Sequence, residues 1–151
     1  MVSISYFEDK YLQQVPDLIK QYKDNYNGEW GNLETNVDGM INKYSKLKGN
    51  SNYIFVQAIE SNKLIGFAEV VINEDIVEDQ KPIAIIWDLR VDKQHRSQGI
   101  GQGIMEFIES HCKRIGVSFI MLDCDIDNFK AQSFYEKCGY TKGCDYFKYL
   151  Q

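Results

Sequence analysis

The sequence predicts an α/β chain built on a central mixed β-sheet of about six or seven strands flanked by about four helices. Three observations carry that expectation. Short alternating or fully apolar runs interleave with longer runs whose apolar residues recur at helical spacing. Two of the strand runs are joined by a tight turn, the mark of an antiparallel hairpin. Later, an apolar strand run, a glycine-rich turn, an amphipathic run and another strand follow in the order of a parallel β-α-β crossover. At 151 residues the chain is long enough to close one hydrophobic core, and a single domain over 1–151 is expected.

Val2 to Phe7 alternates, with Val2, Ile4 and Tyr6 opposite Ser3 and Ser5, and reads as the first strand. Tyr11 to Tyr22 sets Leu12, Val15, Leu18, Ile19 and Tyr22 at helical spacing. Pro16 is tolerated only in a first turn, so this helix is expected to begin near it. Asn25 to Asn32 reads as a loop whose Trp30 either caps the core edge or touches a ligand. Thr35 to Leu47 is a second helix with the stripe Val37, Met40, Ile41, Tyr44 and Leu47, ended by Gly49-Asn50-Ser51.

Tyr53 to Ile59 and Leu64 to Ile72 form the hairpin, turned at Ser61-Asn62-Lys63. Glu74 to Gln80 is an acidic loop ahead of Pro82, either a solvated connection or an attractor for an amine. A buried strand, Ile83 to Val91, precedes the glycine turn. The helix after it, Ile100 to Ile115, carries Ile100, Ile104, Phe107, Ile108 and Ile115 on one face. A strand Val117 to Leu122, a helix Asn128 to Cys138 closed by Gly139, and a last strand Tyr146 to Leu150 complete the order.

Composition excludes several classes. Basic residues number 17 against 22 acidic ones, a formal charge of -5, so the basic face required for nucleic-acid binding is not expected and a cationic partner fits better. No run approaches the roughly 20 apolar residues of a membrane span, and Met1 to Lys10 lacks the pattern of a secretory signal. Cytoplasmic residence without a membrane partner is the expectation. Cys112, Cys124, Cys138 and Cys144 make no Cys-x-x-Cys pair, which points to reduced, structural thiols and to no metal site.

The stretch His95 to Gly103 reads His-Arg-Ser-Gln-Gly-Ile-Gly-Gln-Gly. A glycine-punctuated turn from strand to helix aims unpaired backbone N–H groups at one point, at the positive end of the helix dipole, where a phosphate can be held. It lacks the Gly-x-Gly-x-x-Gly of dinucleotide folds and the Gly-Lys-Ser/Thr ending of a nucleoside-triphosphate loop. Arg96, Gly99 and Gly101 instead resemble the pyrophosphate motif Gln/Arg-x-x-Gly-x-Gly/Ala of the GNAT superfamily of acetyl-CoA-dependent N-acetyltransferases. Asn128, Ala131, Phe134, Tyr135, Gly139 and Tyr140 resemble that family's second signature, at the expected distance downstream. The likeness covers Ile83 to Leu150. Within it, Trp87 to Val91 and the ending from Cys138 to Tyr149 look like streptothricin acetyltransferases, from which the chain departs at Asp123 to Asn128 and at Trp87.

The resemblance implies acetyl-CoA as the cofactor. Its pyrophosphate would lie on the backbone of Ser97, Gln98, Gly99, Ile100, Gly101 and Gln102, with Arg96 either adding charge from the edge or standing in solvent. Asp88, Leu89, Arg90 and Val91 would pair with the pantetheine arm as if with another strand, and the Leu89 N–H would polarise the acetyl carbonyl. That arrangement needs a bulge splaying this strand from Val117 to Leu122. Asn128 joins the cofactor set, and Tyr135 is placed at the coenzyme sulfur as general acid. Tyrosine's ordinary pKa near 10 suits it to protonate a thiolate and makes it a poor base at neutral pH.

The base stays open between Asp88, Glu69 and a water relay. Glu69 is a contender because burial among apolar neighbours raises a carboxyl's pKa. The implied acceptor is a primary amine of a small molecule: an aminoglycoside-like or streptothricin-like antibiotic, a polyamine or an amino-acid derivative, with protein N-termini and lysines as alternatives. The rival from another class is a non-catalytic acyl-CoA-binding sensor, against which Tyr135 beside an intact Arg96/Gly99/Gly101 argues. An exposed last strand over Tyr146 to Leu150 would offer one route to a homodimer by edge pairing.

Overall fold

The computed structural model describes residues 1–23, 37–78, 81–117, 119–143 and 148. In chain order these form β1 (Ser3–Tyr6), α1 (Val15–Lys23), α2 (Val37–Leu47), β2 (Tyr53–Glu60), β3 (Lys63–Glu78), β4 (Lys81–Val91), α3 (Ile100–Arg114), β5 (Phe119–Met121) and α4 (Phe129–Lys137). The strands lie in the order β1-β2-β3-β4-β5, antiparallel as far as β4, with β5 parallel to β4. This is the mixed sheet expected, with five strands among the described residues and not six or seven. The strand anticipated at Tyr146–Leu150 and the loop holding Trp30 fall outside the described residues.

Local chemistry explains most boundaries. A 3-10 turn over Asp9–Gln14 leads into α1, and Pro16 is its second residue, where a missing N–H costs the helix nothing. The β2–β3 hairpin turns on Ser61 and Asn62, both at positive φ (50° and 62°), as the right-handed strand twist favours. Lys63 already belongs to β3.

The acidic run expected to be a loop is largely strand. β3 continues to Glu78, with Val77 opposite Pro82 and Glu78 opposite Lys81, after a register shift beyond Asn73. Glu74 and Asp75 are exposed, so their charges stay hydrated while the backbone gains a partner.

The sheet separates two cores. On one face, α3 covers an aliphatic cluster that includes Val56, Ile65, Val70, Ile86, Ile104 and Ile108. On the other, α1 and α2 cover a cluster rich in aromatics, including Tyr11, Tyr44, Phe55 and Phe67. Ile115 departs from expectation: α3 ends at Arg114, which leaves Ile115 as an exposed cap, and Met105 and Cys112 complete the buried stripe instead. Among the described residues no helix is long and apolar enough to cross a membrane.

Candidate active site

The site is built by one extra residue in β4. Val70 lies opposite Ile86 and Glu69 opposite Asp88, so Trp87 is a bulge. Side chains alternate along a strand, and an inserted residue swaps the faces beyond it. Before the bulge Ala84 and Ile86 join the aliphatic core; after it Leu89 and Val91 do. Asp88, which an unbroken strand would drive into that core, turns to the opposite face beside Glu69.

The bulge coincides with a parting of strands. β5 pairs with β4 only from Ile83 to Ile85, through Phe119, Ile120 and Met121. Asp88, Leu89, Arg90 and Val91 therefore pair with β3 and have no β5 partner among the described residues. Within this stretch Arg90 Nε donates to Asp88 Oδ1 at 2.5 Å, and Leu89 packs on the aliphatic core.

Immediately downstream the chain curls into α3. Ser97 and Gly99 take positive φ values of 60° and 82°, and a Cβ at Gly99 would have nothing within 4 Å. Gly99 is the N-cap of α3 and supplies no side-chain acceptor to it, so the helix presents its first N–H groups uncapped into open space. The side chains of Gln98 and Gln102 are turned away, onto the Gln94 carbonyl at 3.0 Å and Glu106 at 2.9 Å. Ile100 is buried and pins the first turn to the core. These features suit an anion at the helix start.

Two motif residues have packing or positioning duties. A Cβ on Gly101 would come within 3.1 Å of the Phe134 ring, so this glycine lets α4 close on α3. Arg96 is half-buried, and its Nε donates to the Val91 carbonyl at 3.1 Å, fastening the turn to the strand end. On α4, Asn128 is the N-cap, its Oδ1 accepting the Ala131 N–H at 3.1 Å, and Gly139 ends the helix at φ 91°. Tyr135 is half-buried, edge-on to Phe134 with ring centres 5.2 Å apart.

On the face reached by Asp88, a cavity of about 200 Å³ opens between the sheet, α1 and α2. Asp88, Glu69 and Lys43 bring charge to walls that include Val15, Ile19, Met40 and Phe67. Glu69 is 7% exposed, with Lys43 Nζ 2.6 Å from its Oε1. The two rival carboxylates from the sequence thus share one cavity. Lys43 was not anticipated; its position three residues after Met40, at the border of the α2 stripe, is the only signal that points to it.

A second unanticipated group closes the end of β4. Asp92 is 3% exposed; its Oδ1 accepts from Gln21 Nε2 at 2.7 Å, its carboxylate touches His95 Nδ1, and Lys63 lies 3.8 Å away. Burial alone would raise this carboxyl's pKa, but the bonds from Gln21 and His95 and the Lys63 charge outweigh it and hold the pKa below its ordinary value. A larger groove, about 450 Å³, includes Tyr53, His111 and Ile115 and so opens at the C-terminal end of α3. A helix of 15 residues is about 22 Å long, which sets that groove far from the glycine turn.

Comparison with known proteins bears on this geometry. The sequence profile of the acetyltransferase (GNAT) family matches residues 15–140. Glucosamine 6-phosphate N-acetyltransferase of Arabidopsis thaliana is 33% identical over 79 residues, 52% of this chain and 51% of that enzyme. N-alpha-acetyltransferase 30 of Schizosaccharomyces pombe is 28% identical over 103 residues, 62% of this chain and 67% of the relative. Against the first of these the chain spans only about half the relative's length. Among solved structures, an aminoglycoside N-acetyltransferase in complex with CoA superposes with a TM-score of 0.83 at 17% identity, over 100% of this chain and 95% of that one, a likeness of fold.

Proposed function

The chain belongs to the GNAT acetyltransferase family, and from that premise we propose that it is an acetyl-CoA-dependent N-acetyltransferase. Its acceptor is the primary amine of a small cationic molecule, and transfer is direct, within a ternary complex. The observation that carries this reading is the Trp87 bulge, which turns Asp88 into the cavity on the other face, beside Glu69. The likeness of Trp87 to Val91 to streptothricin acetyltransferases fits a cationic acceptor.

When bound, acetyl-CoA supplies an activated thioester carbonyl. The uncapped N–H groups at the start of α3, from Gly99 to Gln102, hold its pyrophosphate, and the backbone of Asp88 to Val91 receives the pantetheine arm. The Leu89 N–H is the donor to the carbonyl oxygen, where negative charge grows as the amine adds. Glu69 holds the incoming ammonium and Asp88 takes its proton, freeing the nitrogen lone pair. As the C–S bond broke and the amide C–N bond formed, Tyr135 would give its hydroxyl proton to the sulfur, and the second proton shed by the nitrogen would return to the Tyr135 phenolate through water.

The test mixes the protein, acetyl-CoA and a panel of primary amines, and follows free thiol together with the mass of the acceptor. Thiol release matched by a gain of one acetyl group on the amine is expected. Coenzyme binding with no release across a wide panel would replace this reading with that of an acyl-CoA sensor.

A further inference from the structure

The cavity beside Asp88 is selective about what else an acceptor carries besides its nitrogen. At about 200 Å³ among the described residues it falls under the roughly 300 Å³ at which ordinary ligand pockets begin, and it suits a small guest better than a multi-ring amino sugar. Most of its lining is apolar, including Leu12, Val15, Ile19, Met40 and Phe67. Sugar hydroxyls brought against such walls would lose water and gain no partner. The hydroxyl of Tyr44, also in the wall, already donates to Asp9 Oδ1 at 2.8 Å.

The charged floor is built differently. Glu69 is buried, yet its Oε1 receives no aligned hydrogen bond, although the Lys43 ammonium lies 2.6 Å away. The contact is one of charge, and the Lys43 side chain is half-exposed. A primary ammonium therefore already stands where an acceptor's would stand, held by charge without an aligned bond.

We propose, on the basis of the acetyltransferase reading, that the acceptor is a primary amine with a compact apolar body, an arylalkyl or branched alkyl amine. Its ammonium replaces that of Lys43 on Glu69, and its body lies against Val15, Ile19, Met40 and Phe67. Lys43 is then an internal stand-in for the substrate and sets the threshold a guest must exceed.

Two readouts keep this proposal apart from the reading it rests on. Calorimetry of amines with the protein saturated in coenzyme A needs no turnover, whereas thiol release from acetyl-CoA does. Isoamylamine and phenethylamine are expected to bind at least about tenfold more tightly than glucosamine 6-phosphate, and the series from ethylamine to butylamine to gain roughly fourfold per methylene. Lys43→Met should tighten the apolar amines several-fold, and Glu69→Gln should weaken them. Preference for glucosamine 6-phosphate, or a flat chain-length series, overturns the proposal, and thiol release with that sugar would leave the acetyltransferase reading standing. Amines that bind in the expected order without thiol release from any of them overturn the acetyltransferase reading and leave the ligand assignment in place. A Lys43→Met protein with a lowered melting temperature and unchanged amine affinity makes Lys43 a structural residue and removes its part in the proposal.

Discussion

The two halves of β4 are one strand with opposite duties. Lys81 to Ile86 begins opposite Glu78 of β3, lies against β5 from Ile83 to Ile85, and sends Ala84 and Ile86 into the aliphatic core. Asp88 to Val91 pairs with β3, has no β5 partner among the described residues, and turns Asp88 to the cavity. The first half is ordinary sheet, and its identity is measured in stability. The second pairs with β3 and, among the described residues, lies beyond the reach of β5. A single residue, Trp87, separates the two regimes.

Deleting Trp87 is the severest way to break this contrast. It removes the extra residue, so the strand alternates without a bulge while Asp88, now directly after Ile86, stays on the cavity face. Circular dichroism should show a folded protein, and thiol release should fall sharply because the strand end loses the distortion that the bulge imposes, whereas Trp87→Ala, at a site 62% exposed, should keep the fold. A deletion mutant with undiminished thiol release would mean that the bulge is not needed by the site.

On α4, Tyr135→Phe should lower turnover by roughly 10²–10⁴ with little change in acetyl-CoA affinity, the range seen for general acids. Equal turnover in the thiol-release assay removes Tyr135 as the acid. In the first half the effect should be on stability alone: Ile86→Ala, at a site 4% exposed, should cost about 2–5 kcal/mol in urea unfolding and spare coenzyme affinity.

The smallest effect belongs to Asp92. Its folded pKa lies below the ordinary value of 3.8, so its contribution is present above that value and is lost as pH falls through the folded pKa. Asp92→Asn should flatten the acid limb of a stability-against-pH curve and cost roughly 1–3 kcal/mol at pH 7. An unchanged acid limb would show that the cluster around Asp92 does not hold its charge.

Much of this architecture can be read from periodicity and punctuation. Pro16, the Ser61-Asn62 turn, Gly99 and Gly139 each fix a boundary through backbone rules that act locally, and the structure puts the boundaries beside them. What is illegible depends on partners far away in sequence. Ile-Ile-Trp-Asp-Leu-Arg-Val contains no glycine to announce a bulge, because the extra residue is defined only by the count on β3. Glu74 to Glu78 looks like a loop because charge density is visible in sequence and the partners Pro82 and Lys81 are not. Gly101 matches a phosphate motif, yet its neighbour is the Phe134 ring, brought there by a helix that begins 28 residues later, at Phe129. The placement of Glu69 with Asp88 likewise waits on strand register, and that of Lys43 on how α2 packs over the sheet.

Gln21 extends both ends of its amide from α1 to the end of β4. Its Nε2 donates to Asp92 Oδ1 at 2.7 Å, and its Oε1 accepts the Lys93 N–H at 2.8 Å. The helix that carries this two-pronged bolt also walls the cavity beside Asp88 with Val15, Pro16 and Ile19, while the bolted strand end leads straight into the glycine turn. The cavity and the turn are therefore geared to one another. If, as proposed, they take the acceptor and the coenzyme, tilting α1 outward to admit a bulkier guest would drag on the segment that holds the coenzyme, so extra room for larger amines has to come from shortening side chains, with the helix left where it is.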